Sequence, residues 1–317
     1  MTTVEFRIPI SATTGMFSMV RLAAMSLARL GPPFSSARII VSVGDGADYE
    51  TVLRQVPWSH DYPLEWRIAD HESVRVNPLI ASGNDRYEES PRADVVVMCD
   101  ADTCVVNRFD NLLAALVSAP PSVAGLQAHF QPWPKPIAAI NDALWNSLLA
   151  RIGVVGEWKD LGYSLASDGS RGRCPAYFNY GFVAFNRLAF QRIAPLAAKY
   201  SEIAREFLIS EYPEGIGFQA QIGLSLAIAA SGTNVIQLGH AYNCANDDLV
   251  LANGLGDLDE VKVIHYLRTQ EFDRNRFLCD RQSFQSFTAV PLKNPISEKL
   301  RRHVVGLANA FYPNVGG

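Results

Sequence analysis

Short apolar runs alternate with segments of helical spacing along much of the chain. Apolar runs of strand length occupy residues 4–10 and 38–43, and the segment 17–30 between them carries apolar side chains at helical intervals before Gly31-Pro32-Pro33 ends it. The same reasoning predicts further strands at 64–69, 95–99, 123–128 and 176–186, and helices at 109–117, 137–152, 188–207 and 217–230. This β-α-β order predicts an α/β fold with a mainly parallel, twisted sheet and flanking helices.

The alternation breaks at residues 131–175. The run Gln131-Pro132-Trp133-Pro134-Lys135-Pro136 excludes regular structure, because proline lacks an amide hydrogen and biases its neighbours toward extended conformations. A glycine- and serine-rich span at 153–174 follows the predicted helix. We expect this segment to be an insert that shapes an acceptor pocket, and the alternative is a surface excursion without function. Its aromatic residues could stack on an acceptor or pack in the interior: Trp133, Trp145, Trp158 and Tyr163.

Composition and charge exclude several classes of function. The 317 residues are 48% hydrophobic and carry a net charge of −4, so no basic surface for nucleic acid is expected. The five cysteines lack the paired short spacings of a zinc site, which favours scattered thiols in a reducing compartment. Charged residues interrupt the first apolar run, and no apolar span of membrane length follows. We therefore expect a cytoplasmic protein, and association with a membrane face stays open.

Two carboxylates follow the most apolar of the predicted strands. The run 95–99 is too short and too β-branched for a helix, and Asp100 and Asp102 come directly after it. In an open α/β sheet, ligands bind in the crevice beyond the carboxyl ends of the strands. A carboxylate pair there suits a hard divalent cation, which takes oxygen ligands and keeps positions open for water or phosphate. The alternative is a strand end with solvated acidic turn residues.

Four segments together resemble nucleotide-sugar glycosyltransferases with the GT-A fold. Besides Asp100-Ala101-Asp102, these are Tyr177-Phe178-Asn179-Tyr180-Gly181 with the apolar run to Asn186, Gln219-Ala220-Gln221-Ile222-Gly223-Leu224, and Val261-Lys262-Val263-Ile264-His265-Tyr266. Their order is similar to that of the glycogenin and bacterial lipopolysaccharide galactosyltransferase group. The resemblance implies a single GT-A (nucleotide-diphospho-sugar transferase) catalytic domain at residues 1–270, followed by a C-terminal extension at 271–317. It also implies a hexosyltransferase activity.

The resemblance implies a metal site that serves the leaving group of the reaction. Asp102 and His265 would be direct ligands, and Asp100 would ligate the cation or hold ribose and metal-bound water. A divalent cation bridging two phosphates neutralises the charge of a departing nucleoside diphosphate as a Lewis acid. An imidazole among oxygen ligands points to Mn²⁺ as readily as to Mg²⁺.

Further residues are candidates for binding the nucleotide-diphosphate sugar donor. Arg86 would hold phosphate through its guanidinium fork, and a solvated loop arginine is the alternative. Asp45 closes the second strand, where related enzymes commonly read the nucleobase, although an Asp-Gly turn explains it equally. Asn179 could present its amide to the sugar, and Gly181 an uncrowded backbone, unless it is only a strand irregularity. The remaining donor-binding candidates are residues of the first loop and of the metal motif: Ser11, Ala12, Thr13 and Ala101.

The catalytic group is left open between several residues. Gln219 and Gln221 are candidates, because one of them takes the place of a glutamine in the family's helix start. The acid that normally adjoins that glutamine is missing here, since Phe218 and Ala220 stand in its place. A retaining outcome is therefore not assured, and an inverting enzyme would need a carboxylate base. Asp247, Asp248 and Glu214 are available for that role.

Two other functions compete with the glycosyltransferase. Haloacid-dehalogenase-like phosphatases also place Asp-x-Asp after an apolar strand, but near their N-terminus and with Thr or Val where this chain has Cys104. A non-catalytic nucleotide-sugar-binding protein is the second alternative. The acceptor, which could be a saccharide, a lipid-linked group or a small molecule, and the oligomeric state are not determined by the sequence.

Overall fold

Ten strands and eleven α-helices build the described part of the protein. The computed structural model describes residues 2–77, 80–133, 138–154, 161–165, 174–253 and 255–311. The strands are Val4–Ile10 (β1), Arg38–Val43 (β2), Leu64–Ile68 (β3), Val95–Met98 (β4), Thr103–Val105 (β5), Ser122–Gln127 (β6), Phe178–Asn186 (β7), Asn234–Gln237 (β8), Cys244–Ala245 (β9) and Val263–His265 (β10). The helices are Thr14–Arg29 (α1), Tyr49–Gln55 (α2), His71–Val76 (α3), Ala81–Asp85 (α4), Asp110–Ser118 (α5), Ala138–Arg151 (α6), Arg187–Glu211 (α7), Gln219–Ser231 (α8), Asp248–Asn253 (α9), Arg281–Ala289 (α10) and Pro295–Phe311 (α11).

A seven-stranded sheet with the order β3-β2-β1-β4-β7-β6-β8 forms the centre of the fold. All neighbouring pairs are parallel except those of β7, which runs antiparallel to both β4 and β6. The carboxyl ends of β1, β2, β4, β6 and β8 therefore meet at one edge, where β7 begins. This edge is the crevice in which ligands of open α/β sheets bind. The predicted mainly parallel sheet with flanking helices is confirmed.

Strand β4 is buried on both faces, as its uninterrupted apolar sequence predicts. Val95 and Val97 pack in a core shared with α1, while Val96 and Met98 face a second core shared with α7 and α8. None of these four side chains is exposed to solvent. Helices on both sides of the sheet thus hold β4 rigidly, and they fix the position of the two aspartates that follow it.

A second, three-stranded sheet brings β10 and its residue His265 to this edge. Its order is β5-β10-β9, and β10 pairs antiparallel with β5 so that His265 lies opposite Thr103. The amide of Tyr266 donates to the carbonyl oxygen of Asp102 at 3.0 Å. The strand register therefore places His265 directly beside the acidic motif.

The aromatic residues of the 131–175 segment are interior where the structure describes them. Trp133, Trp145 and Tyr163 are at most 8% exposed, and they form one hydrogen-bonded group around Asn141. Of the two possibilities that the sequence leaves open for these three residues, the structure shows packing in the interior, where each satisfies its polar atom. Trp158 lies outside the described residues. The role of the segment as an insert that shapes an acceptor pocket stays a prediction.

The first strand carries a buried ion pair that its mostly apolar pattern does not predict. The Glu5 and Arg7 side chains are fully buried, and Arg7 Nε donates to Glu5 Oε1 at 2.7 Å. A second arginine, Arg38, bridges Glu5 to Glu65 and Glu89. Arg7 also donates to the carbonyl oxygen of Glu89 at 2.8 Å, which anchors the segment that follows α4. Because removing one partner of a buried pair leaves an uncompensated charge, the network constrains this segment strongly.

No disulfide joins the five cysteines, all of which lie in the described residues. Within the described ranges, no helix combines the length and the apolar character that crossing a membrane requires.

We predict that acid weakens the packing of α11 on α1. His303 Nε2 lies 3.0 Å from the Ser26 hydroxyl, and burial lowers the pKa of His303 to about 4. The unfolded imidazole has a pKa of about 6.5, so the unfolded state takes up its proton first and the folded state loses stability as the pH falls between these values. In His303→Gln this loss is absent. The difference in Tm between wild type and His303→Gln should narrow from pH 7 to pH 5, and a constant difference would contradict the assignment.

Candidate metal centre and active-site crevice

Asp100, Asp102 and His265 form a compact cluster at the carboxyl edge of the sheet. One ligand atom from each lies within 4.8 Å of the others. His265 Nε2 is 3.2 Å from Asp102 Oδ1 and 4.0 Å from Asp100 Oδ2. His265 is buried, whereas the Asp100 side chain is 35% exposed, so the cluster is open on one side. Two carboxylates and an imidazole with an open side fit a divalent cation that also binds substrate oxygens.

A chain of amide hydrogen bonds sets the tautomer of His265. Asn243 donates from Nδ2 to the carbonyl oxygen and to Oδ1 of Asn179, at 3.2 and 3.1 Å. Its own Oδ1 therefore faces His265 Nδ1, at 3.0 Å, and accepts the hydrogen of that nitrogen. The lone pair of the neutral ring is then on Nε2, which points at the two aspartates. Orientation of a metal-binding histidine through its second nitrogen is a common feature of metal sites.

Gly181 leaves the space that His265 occupies. A Cβ atom at this position would lie 2.3 Å from His265 Nδ1 and 2.6 Å from Asn243 Oδ1. The backbone of β7 thus approaches the imidazole more closely than any side chain would permit. Asn179 accepts from the Gly181 amide at 2.9 Å, so the start of β7 supports the histidine.

The pKa values of Asp100, Asp102 and His265 depend on the charges of their neighbours in the cluster. Burial, followed by the neighbouring Asp102 carboxylate, raises the pKa of Asp100. Burial opposes ionisation of Asp102 as well, but His265 and Arg274 outweigh it and hold the Asp102 pKa below its usual value. Burial would lower the pKa of His265, yet the two aspartates raise it. A proton on His265 therefore takes the place that a cation would take, and the two compete.

Two arginines stand beside the acidic cluster. Arg274 contacts Asp102 Oδ2 through Nη1, and it lines the same cavity of about 300 Å³ as the three cluster residues. Arg86 is buried with its guanidinium 4.9 Å above the Tyr180 ring, and its charge opposes the rise in the pKa of Asp100. Arg86 Nη1 has no hydrogen-bond partner in the described part of the protein. A buried guanidinium nitrogen without an acceptor fits a site for an anionic ligand.

Sequence reasoning did not find Arg274. It belongs to a polar stretch after β10 that contains several arginines, and no periodicity separates one from another. The signal that could have found it is its place in the loop after the histidine strand, since loops at the carboxyl edge supply binding residues.

The first loop and the end of β2 come together on the β1–β2 side of the crevice. The backbone amide of Ala12, flanked by Ser11 and Thr13, donates to Asp45 Oδ2 at 3.2 Å. Asp45 has a φ of 66°, a left-handed conformation that its Asp-Gly turn tolerates. The donor-binding candidates of both segments thus lie together. Asp45 also has the backbone conformation of an Asp-Gly turn, which is the alternative explanation for this residue.

The candidate catalytic residues lie apart from the metal cavity. The residues that line this cavity include Ala101. They include none of the catalytic candidates, which are Gln219, Gln221, Asp247, Asp248 and Glu214. Gln219 is buried and accepts from Asn77 at 3.1 Å, whereas Gln221 is partly exposed. The Tyr180 hydroxyl donates to the Ala220 carbonyl at 2.6 Å and ties this helix start to β7.

The two aspartates offered as bases are both engaged. Asp247 accepts from Arg268 Nε at 2.7 Å, and Asp248 accepts from Asn294 at 2.8 Å. Both line a polar cavity of about 710 Å³ between β9 and the start of α11. Glu214 is exposed in the short 3₁₀ segment before α8. None of these positions decides which residue acts in catalysis.

Comparison with solved structures identifies the fold. The sequence matches no protein-family profile and no curated protein. The galactosyltransferase LgtC in complex with donor and acceptor sugar analogues superposes with a TM-score of 0.53 at 14% identity, over 97% of this chain and 96% of that chain. An active-site mutant of LgtC, with a glutamine changed to glutamate, gives 0.54 at 15% identity over 92% and 99%. The chain therefore has the GT-A fold of nucleotide-sugar transferases, as the sequence resemblance implied.

We predict that Gly181→Ala disables the cluster without unfolding the protein. The added methyl group must displace His265 or Asn243, so Mn²⁺ affinity measured by calorimetry should fall by about tenfold or more, the loss typical when a supporting contact of a metal ligand is removed. Gly217→Ala is the matched control, because its Cβ would meet no atom within 4 Å. Wild-type Mn²⁺ affinity in Gly181→Ala would show that the close approach is unimportant.

Proposed function

We propose that the protein is a glycosyltransferase that uses a divalent cation, Mn²⁺ or Mg²⁺, to move a hexose from a nucleotide-diphosphate donor to an acceptor. The observation that carries this proposal is the Asp100–Asp102–His265 cluster, open on one side at the carboxyl edge of a GT-A sheet. The fold alone would support only an analogy, since one fold hosts many activities. The cluster adds residues that can hold the divalent cation required for this reaction.

A cation held by Asp102 and His265, with Asp100 as third ligand or as partner of ribose and metal-bound water, would supply Lewis-acid neutralisation of the diphosphate. Arg274 and Arg86 add positive charge to the cluster. Arg274 pairs with Asp102 and can turn to a phosphate oxygen, while Arg86 Nη1 has no hydrogen-bond partner among the described residues and can donate to a phosphate oxygen. Guanidinium groups suit this role, because they bind phosphate through two parallel hydrogen bonds.

The donor extends from the β1–β2 side of the crevice to β4 in this proposal. Asp45 and the first loop, at Ser11, Ala12 and Thr13, hold the nucleoside. The diphosphate lies over Ala101 and the cluster, and the sugar then points toward the start of β7, at Asn179 and Gly181. Asn179 Oδ1 already accepts from Asn243 and from the Gly181 amide, so Nδ2 would be the atom that reaches the sugar.

A few residues are candidates for the catalytic group, and which of them acts would decide the stereochemical outcome. The LgtC mutant carries its substitution of glutamine in the active site, which supports Gln219 or Gln221 as the corresponding side chain. Gln219 has its amide engaged by Asn77, and Gln221 is partly exposed. A retaining reaction would use one of them near the sugar, whereas an inverting reaction would need a carboxylate base, for which Asp247, Asp248 and Glu214 are the candidates.

A single screen separates the proposed activity from the two alternatives. UDP-, GDP-, ADP- and TDP-sugars are tested by thermal shift with and without Mn²⁺, and then for turnover. A ligand that binds only the folded state adds about 2.7 kcal/mol of stability at a hundredfold excess over Kd. Nucleotide release in addition to a shift identifies the transferase, a shift alone identifies a binding protein, and hydrolysis of phosphate esters alone identifies the phosphatase, which the fold comparison does not favour.

We predict that Asp102→Asn abolishes turnover and leaves the fold intact. The amide has nearly the shape of the carboxylate, but it removes the charge that binds the cation. Nucleotide affinity should fall too, and added Mn²⁺ should not restore it. Asp259→Asn is the control, because its side chain is 92% exposed at the surface. Wild-type turnover of Asp102→Asn under saturating donor would refute the metal role of this motif.

We predict that His265→Ala raises the Mn²⁺ concentration for half-maximal activity by more than about tenfold. The loss follows from removing the nitrogen ligand. In the wild type the same concentration should rise as the pH falls, because the aspartates raise the His265 pKa and its proton competes with the cation. His60→Ala, at an exposed position, serves as control. An unchanged Mn²⁺ titration of His265→Ala would assign this residue to packing alone.

A further inference from the structure

Two buried histidines outside the metal cluster face one another at the same edge of the sheet. The rings of His129 and His240 stack with their centroids 5.8 Å apart and an angle of 28° between their planes. Each residue is only 7% exposed. Yet His129 Nε2 and His240 Nδ1 have no hydrogen-bond partner among the residues that the structure describes. Buried polar atoms are almost always paired, so two orphans on one stacked pair need an explanation.

Ser164 lies against both rings. His129 Nδ1 lies 2.8 Å from the Ser164 hydroxyl, and the Ser164 backbone opposes the lowering of the His240 pKa by burial. The amide of Ser164 in turn donates to the Ala128 carbonyl at 3.0 Å. The segment 161–165 thus positions the His129 ring and lies beside His240.

The strand order places this pair next to the metal cluster. His129 follows the carboxyl end of β6 and His240 that of β8, whereas Asp100 follows β4, with the start of β7 between them. The 3₁₀ turn His240–Tyr242 leads directly into Asn243, which orients His265. The pair and the metal ligand are therefore parts of one continuous structure, on the side of the cluster away from the nucleoside residues.

The surroundings of the pair favour an uncharged ligand. Burial is the main reason that the pKa of His129 falls to about 4, so the ring is neutral at physiological pH. Among the charged groups that act on His129, Asp247 and Arg268 neutralise each other through a contact of 2.7 Å. A metal site is also not formed, because in the described ranges only Asp100, Asp102 and His265 bring three donors together.

We propose that His129 and His240 form a subsite that binds the hydroxyl groups of an uncharged sugar acceptor. This inference rests on the proposed transferase function and names the acceptor class of the same crevice. A hydroxyl both donates and accepts, so it can satisfy either tautomer of each orphan nitrogen. Phe130, 46% exposed and 6.4 Å from the His129 ring, offers an apolar surface beside them. An aromatic face next to a few placed polar groups is typical of small-molecule sites.

Sugar binding can be tested without turnover. Protein with ¹⁵N-labelled histidine is titrated with methyl β-galactopyranoside and methyl β-glucopyranoside, and the imidazole signals are followed by NMR. The subsite predicts saturable shifts of the His129 and His240 signals and none at His303, which is bonded to Ser26 on another face. Inorganic phosphate is the competing probe. Shifts with phosphate and not with the glycosides, or no shift with either glycoside, would overturn the proposal.

Kinetics distinguishes acceptor from donor sugar as the source of the hydroxyl groups. In His129→Leu and His240→Leu, transfer relative to donor hydrolysis should fall by about tenfold, the effect of losing one hydrogen bond to the acceptor. His303→Leu controls for the loss of a buried histidine, and melting curves confirm folding. An equal fall of transfer and hydrolysis would assign the pair to the donor sugar and refute the proposal, as would unchanged transfer. If the wild type turns over no nucleotide-sugar at all, the proposed function fails, while the NMR titration still decides on the sugar subsite.

Discussion

The antiparallel pairing of β10 with β5 is the constraint on which the candidate site depends. It places His265 opposite Thr103, one residue after Asp102, and a hydrogen bond from Tyr266 to the Asp102 carbonyl fixes this register. A shift of one residue would turn the imidazole to the other face of the small sheet. The contact of His265 with Asn243 and the open backbone at Gly181 support the histidine in that register.

Electrostatics explains why the protein maintains this arrangement. Two carboxylates next to each other in a partly buried site repel, and the structure balances them with His265, Arg274 and Arg86. In the proposed function, a cation would take the place of the positive groups beside the two aspartates. The arginines would then be available to a negatively charged diphosphate. In this proposal, the charges that form these internal ion pairs are the ones that would bind the donor.

The parts of the fold with strong periodicity were predictable from the sequence, and those held by long-range contacts were not. Strand β2 has the predicted bounds, and β1 does as well, because apolar runs between clear breakers define both ends. Asp100, Asp102 and His265 were found through their strands and their resemblance to known motifs. The short strands β5 and β9 have no pattern of their own, and they exist through pairing with β10. Likewise, Arg274 and the His129–His240 pair are recognisable only once distant segments meet, and the burial of Trp145 depends on Tyr163 and Asn141.

The central claim is that a cation held by Asp102 and His265 binds the diphosphate of a nucleotide. Anomalous diffraction from crystals grown with Mn²⁺ and a nucleoside diphosphate tests it most directly. The account predicts an anomalous peak in contact with the Asp102 carboxylate and His265 Nε2, with diphosphate oxygens completing its coordination and Arg274 turned toward them. A nucleotide bound in the crevice with no manganese between these two residues, or manganese bound only elsewhere, would contradict it.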